Sequence, residues 1–141
     1  MKLSQLREVK ELSNELGIDF KELTTAFVDN KTDFDIEDYR FISANRIDKI
    51  QQDELKSDLY VLGCFTDWFI ADNTDLSLKV IQALQKAEAF EELGELMLDD
   101  IEALQEGYAS ADGYGHHFAH YDHNENEINV DGVNYYYFRV H

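Results

Sequence analysis

The sequence predicts an α+β protein, a mainly helical body followed by a C-terminal three-stranded antiparallel β-meander. Three observations carry that prediction. Apolar residues recur at steps of three and four from Leu3 to Leu104, the period of helices with one buried face. After Gly113 the pattern shifts to short runs rich in aromatic and β-branched residues. Asp131-Gly132 then sits between Val130 and Val133, the signature of a two-residue hairpin turn whose central positions need positive φ.

Leu3, Leu6, Val9, Leu12 and Leu16 form one helical face, stopped by Gly17. Asp19 is placed to cap a second helix carrying Phe20, Leu23, Ala26 and Phe27. Residues 32–38 are acidic and read as a loop, after which Ser43 is placed to cap a helix with Ile47, Ile50 and Leu55. Residues 59–71 (LYVLGCFTDWFIA) are the most apolar run, long enough for a buried helix, although their β-branched and aromatic content leaves a strand open. Thr74 and Asp75 precede a helix with Leu76, Val80, Ile81 and Leu84 inward. A further helical pattern runs through Phe90, Leu93, Met97, Ile101 and Leu104, with Gly94 as a point of kinking or division and Gly107 as its end. Residues 116–121, 127–130 and 133–140 read as the three strands, with Ile128 opposite Tyr135 and Tyr137 continuing that face. The whole reads as a single domain, 1–141, in which residues 1–38 form a helical subregion of their own, open to being a separate addition, and residues 39–141 form the main body.

Composition narrows the function. The 141 residues hold 30 Asp and Glu against 12 Lys and Arg, a net charge of -18. Residues 61–141 carry -13 of it, and from Ala87 to Phe138 there is no Lys or Arg at all. Such a balance argues against direct contact with nucleic acid or with an anionic membrane. The single cysteine, Cys64, allows neither an internal disulfide nor a cysteine zinc site, and its apolar neighbours predict a buried small residue rather than a nucleophile. No apolar stretch reaches the 18 residues of a membrane span, and the N-terminus leads into charged helix rather than a signal segment, so a cytoplasmic protein is expected. A helix-turn-helix pattern around residues 69–84, offering Ser77, Lys79, Gln82, Gln85 and Lys86, is better read as ordinary helix packing.

Two clusters invite chemistry. His116, His117, His120 and His123, with Asp122 and Glu125, supply ligand types for a divalent metal. On a helix His116 and His120 would share a face, but Gly113, Gly115 and the aromatic alternation favour a strand, which separates them by roughly 13 Å, so local hydrogen bonding is expected and no metal or other cofactor. The second cluster is the carboxylate series Glu91, Glu92, Glu95, Asp99, Asp100, Glu102 and Glu106 of one helical stretch, several of which share the side opposite its apolar positions. Carboxylates fixed on a helix surface imitate the phosphates of a duplex and compete for a Lys/Arg-lined groove. Tyr135 and Tyr137 add a stiff, amphipathic strand face suited to binding protein. No phosphate loop, nucleophile elbow or dinucleotide fingerprint is present, and no catalytic residues are expected.

From Tyr39 onward the chain resembles a group of small, largely uncharacterised phage and prophage proteins. The likeness rests on Arg40-Phe41-Ile42-Ser43, Leu62-Gly63-Cys64-Phe65, Ala89-Phe90-Glu91-Glu92-Leu93-Gly94, the run from Asp112 to Asp122 (DGYGHHFAHYD) and Tyr136-Tyr137-Phe138-Arg139. It departs from that pattern at His123, where a small turn residue is expected. The resemblance implies a phage setting and no catalytic residues. Joined to the acidity, it leads to the expectation of a small inhibitor of a basic, nucleic-acid-binding host protein, of the anti-restriction or anti-CRISPR kind. The alternative is an interaction module with incidental acidity that uses its tyrosine strand, and the third is a histidine-dependent metal protein.

Overall fold

The computed structural model describes residues 1–141 and has the α+β class expected. The chain divides into two compact units. The terminal unit joins Met1–Ile47 to Gly113–His141, and the central unit is Asp48–Asp112. The division therefore does not fall at residue 38. The N-terminal helices share a core with the C-terminal strands.

In the terminal unit, α1 (Leu3–Leu16) ends at Gly17 with φ 71°, and the Asp19 carboxylate accepts the Glu22 N–H at 3.0 Å to start α2 (Phe20–Asp29). Both match the sequence reading. The supposed loop at 32–38 does not. Residues Asp33–Ile36 form β1 and Tyr39–Ser43 form β2, a hairpin turned at Glu37 with φ 51°. Ser43 consequently closes a strand instead of capping α3 (Ile47–Lys56), and its hydroxyl donates to Asn45 Oδ1 at 2.8 Å. The C-terminal hairpin of β3 (Asn126–Val130) and β4 (Val133–Arg139) has the predicted register, Val130 opposite Val133 and Ile128 opposite Tyr135. Its turn residues Asp131 and Gly132 have φ of 54° and 82°. Together the strands make one antiparallel sheet in the order β1-β2-β4-β3, so the three-stranded meander is replaced by four strands drawn from both ends of the chain.

The histidine segment is the second correction. Helix α8 (Ile101–Phe118) runs through it, kinked at Gly113 where φ is 73° and ψ 175°. Gly115, read as a strand signal, is there because a Cβ would overlap the His123 carbonyl oxygen. Residues 113–118 cover one face of the sheet, with Phe118 stacked on Phe138 at 5.2 Å and the Tyr114 ring tilted against Tyr136 at 5.1 Å. The α1–α2 pair covers the other face. There Phe27 meets Phe34, Phe41 and Tyr135 at 5.3, 5.2 and 5.1 Å, all in edge-on geometry.

The central unit is helical. Residues 59–71 are not one buried helix but two short ones, α4 (Leu59–Gly63) and α5 (Asp67–Asn73). The carbonyls of Gly63 and Phe65, freed at the break, accept from the Gln85 side-chain amide at 3.0 and 2.8 Å. Cys64 lies at that break and is exposed, contrary to the burial expected. Ser77 caps α6 (Leu78–Lys86), and Val80 faces solvent instead of inward as expected. Gly94 neither kinks nor divides α7 (Phe90–Met97). The interruption is a 3-10 turn at Leu98–Asp100, and α8 continues past Gly107, which packs against Asn73. Helices α4 and α7 cross in close antiparallel contact, with Gly63 against the Phe90 backbone and Gly94 against the Leu59 backbone. Leu62, Ile70, Ile81, Leu93, Met97 and Leu104 fill the core, and Gln105 ties α8 to α3 by donating to Asp48 at 2.9 Å and Gln51 at 2.8 Å.

Candidate functional site: an acidic helix face

The carboxylates named from sequence all lie in the central unit. That unit holds sixteen Asp and Glu against four Lys, -12 of the total charge. The four lysines sit on α3 (Lys49, Lys56) and α6 (Lys79, Lys86), so α4, α5, α7 and the adjoining part of α8 carry none. Lys49 is spent on Asp53 at 2.7 Å, one turn away on its own helix.

On α7 the buried positions are Leu93, Gly94 and Met97, and on α8 Ile101 and Leu104. The complementary face presents Glu92, Glu95, Asp99, Glu102 and Glu106, all exposed, at successive spacings of three and four. The exposed side continues across the 3-10 turn, where Met97, Leu98 and Ile101 have right-handed helical dihedrals and Met97 and Ile101 both stay buried. At 1.5 Å per residue the stripe runs about 21 Å with a charge roughly every 5 Å. One strand of a duplex carries a charge roughly every 3.4 Å. Glu91 is exposed on the flank of the same helix. Asp100 is the exception among the seven. It is half-buried and its Oδ2 accepts the Asp75 N–H at 3.2 Å, so it holds the α5–α6 connection and is withdrawn from the face. The other six make no ion pair.

The tyrosines fall in the terminal unit and do not form the exposed strand face expected. Tyr135 is 2% exposed, in the aromatic cluster around Phe27, where burial raises its hydroxyl pKa above the usual value. It belongs to the core and not to a surface open to a partner. Tyr137 is half-buried and stacks on Phe41 at 5.3 Å. It lines an open groove of about 370 Å³ between α1 and β3, with Glu8, Glu11, Glu15 and Glu127 on the rim. Burial first, then Glu15 and Tyr39, push the Tyr137 hydroxyl pKa upward. The sequence reading did not find this groove. Its signal was the spacing of Glu8, Glu11 and Glu15 on the polar side of α1.

The histidines adopt neither arrangement considered. Helix α8 stops at Phe118, so His120 leaves the face of His116 and its Nε2 lies 3.1 Å from the His117 carbonyl. His116 stacks instead on His123 at 5.5 Å, and Glu125 accepts the Tyr114 N–H at 3.1 Å. His123 has φ 58°, the left-handed conformation that a smaller residue adopts at lower cost. No three His, Cys, Asp or Glu side chains are grouped as a metal site would need.

No helix is long and apolar enough to cross a membrane. Comparison with protein-family models, with curated proteins and with solved structures gave no match in any of the three.

Proposed function

We propose that this protein is a non-enzymatic binder that occupies the Lys/Arg-lined surface of a nucleic-acid-binding protein and so blocks it. The observation that carries the proposal is the stripe Glu92, Glu95, Asp99, Glu102 and Glu106 with Glu91 beside it, exposed, unpaired and on elements free of cations. Like charges held this close destabilise the fold that carries them. Fixed on helix, they give a partner's cations an array that needs no ordering on binding. The resemblance to phage proteins suggests the setting, an inhibitor of a host defence protein acting in the host cytoplasm.

The test is capture from host lysate on immobilised protein at low and at high salt. Basic nucleic-acid-binding proteins retained at low salt and released as salt rises are the expected result. A partner held equally at both salt concentrations would overturn the proposal.

A further inference from the structure

We propose that the outer edge of β3, beside α1, is a docking site for an extended basic segment of a partner protein, which adds antiparallel as a fifth strand. The site lies within the terminal unit and goes beyond the acidic face of the central unit. β3 ends the sheet order, so one of its edges has no neighbouring strand. Which groups face outward follows from the ladder. The Ala44 N–H donates to the Asn134 carbonyl at 2.8 Å, so the backbone groups of Asn134, Tyr136 and Phe138 point to β2 and those of Val133, Tyr135 and Tyr137 to β3. These engage Val130, Ile128 and Asn126, and the N–H and C=O of Glu127 and Asn129 therefore point away from β4. Neither residue has a backbone partner on that side. Sheet edges are commonly blunted by proline, lysine or a bulge, and β3 has none of them.

The groove between α1 and β3 selects the occupant. A strand laid about 4.8 Å outside β3 turns alternate side chains to the α1 side of the sheet. The one opposite Ile128 meets the groove lined by Leu12, Ile128 and Tyr137 and rimmed by Glu8, Glu11 and Glu15. All three carboxylates are exposed, none is ion-paired, and no Lys or Arg lines the groove. An apolar floor with an acidic rim fits a Lys or Arg side chain, its stem on the floor and its charge at the rim. Backbone bonds to the strand edge supply affinity and the alternate side chains specificity. A second copy of this chain would bring its own Glu127 and α1 carboxylates to the same edge and be repelled. The opposite edge, β1, is not equivalent, because its groove already holds Arg40 beside Asp33 and Asp35.

The test titrates the protein with a short peptide alternating lysine and threonine and follows the amide resonances of Glu127 and Asn129. Binding is expected to slow amide exchange at both. With lysine opposite Ile128, the threonine amides bond β3 and the lysine amides face outward. Methylating the threonine amides should weaken binding about tenfold or more, and methylating the lysine amides should leave it within about twofold. Asn129→Pro removes one outward N–H without touching the bonds to β4 and should weaken binding about fivefold. A peptide alternating glutamate and threonine should not bind. Binding that leaves exchange at Glu127 and Asn129 unchanged, equal losses from the two methylated peptides, or a glutamate peptide held as tightly as the lysine one would overturn the proposal. Protection of Glu127 and Asn129 that rises with protein concentration alone would also overturn it, by making a second copy the occupant.

Discussion

Replacing Gly63 or Gly94 by alanine should destabilise the central unit, although alanine is the better helix former at both positions. Propensity alone predicts a gain of about 1 kcal/mol per site. The α4–α7 crossing reverses the sign, because a methyl group at Gly63 would overlap the Phe90 carbonyl and one at Gly94 the Leu59 carbonyl. These are backbone atoms, so the helices must separate along a seam that includes Leu62 and Leu93, both fully buried. Overpacking of this kind costs about 1–3 kcal/mol or more, and each kcal/mol moves the melting temperature of a small unit by about 4–8 °C. Thermal unfolding of each variant should show a fall of about 10 °C. A melting temperature equal to wild type or higher would mean that the helices do not meet at these glycines.

Neutralising the acidic stripe should leave the fold intact and slow association severely. In the Glu92/Glu95/Asp99/Glu102→Gln/Gln/Asn/Gln variant the helix face keeps its shape, since none of the four side chains is buried or ion-paired. Removing mutual repulsion should make the protein equal to wild type in stability or slightly steadier. Association with a basic partner should slow by about tenfold to a hundredfold at low salt, and the dependence of rate on ionic strength should flatten. Any one of the four changes alone should alter affinity by about fivefold or less, as for a rim charge. Stopped-flow association across a salt series checks both. A quadruple variant with wild-type rates and salt slope would reduce the net charge of -18 to a matter of solubility.

What the sequence made legible follows from which interactions are local. Gly17, Asp19 and Asp131-Gly132 act within a turn of their own backbone, and all were placed correctly. The carboxylate stripe was readable for a similar reason, since one helix period arrayed it opposite the buried side. The misreadings came from long-range contacts. Hairpin β1–β2 was concealed by acidity, yet Phe34 and Ile36 alternate with Asp33 and Asp35, and Asp33 is compensated by a two-pronged pair with Arg40 at 2.9 and 2.7 Å. In the sequence Gly94 and Gly107 read as breaks and Gly115 as a strand signal. In the structure each is a point where another part of the chain comes too close for a side chain. A sequence read alone shows that a glycine is present, not whether it serves a turn or a close approach. The same limit hid the exposure of Trp68, because an apolar run does not reveal which of its members face solvent.

The central claim is that the acidic face stands in for nucleic acid, and competition tests it most directly. A captured basic partner is titrated with a fluorescent DNA duplex at fixed salt in rising concentrations of this protein. The account predicts mutually exclusive binding, with duplex affinity falling in proportion to the protein added and no ternary complex. A ternary complex with undiminished duplex affinity would contradict it.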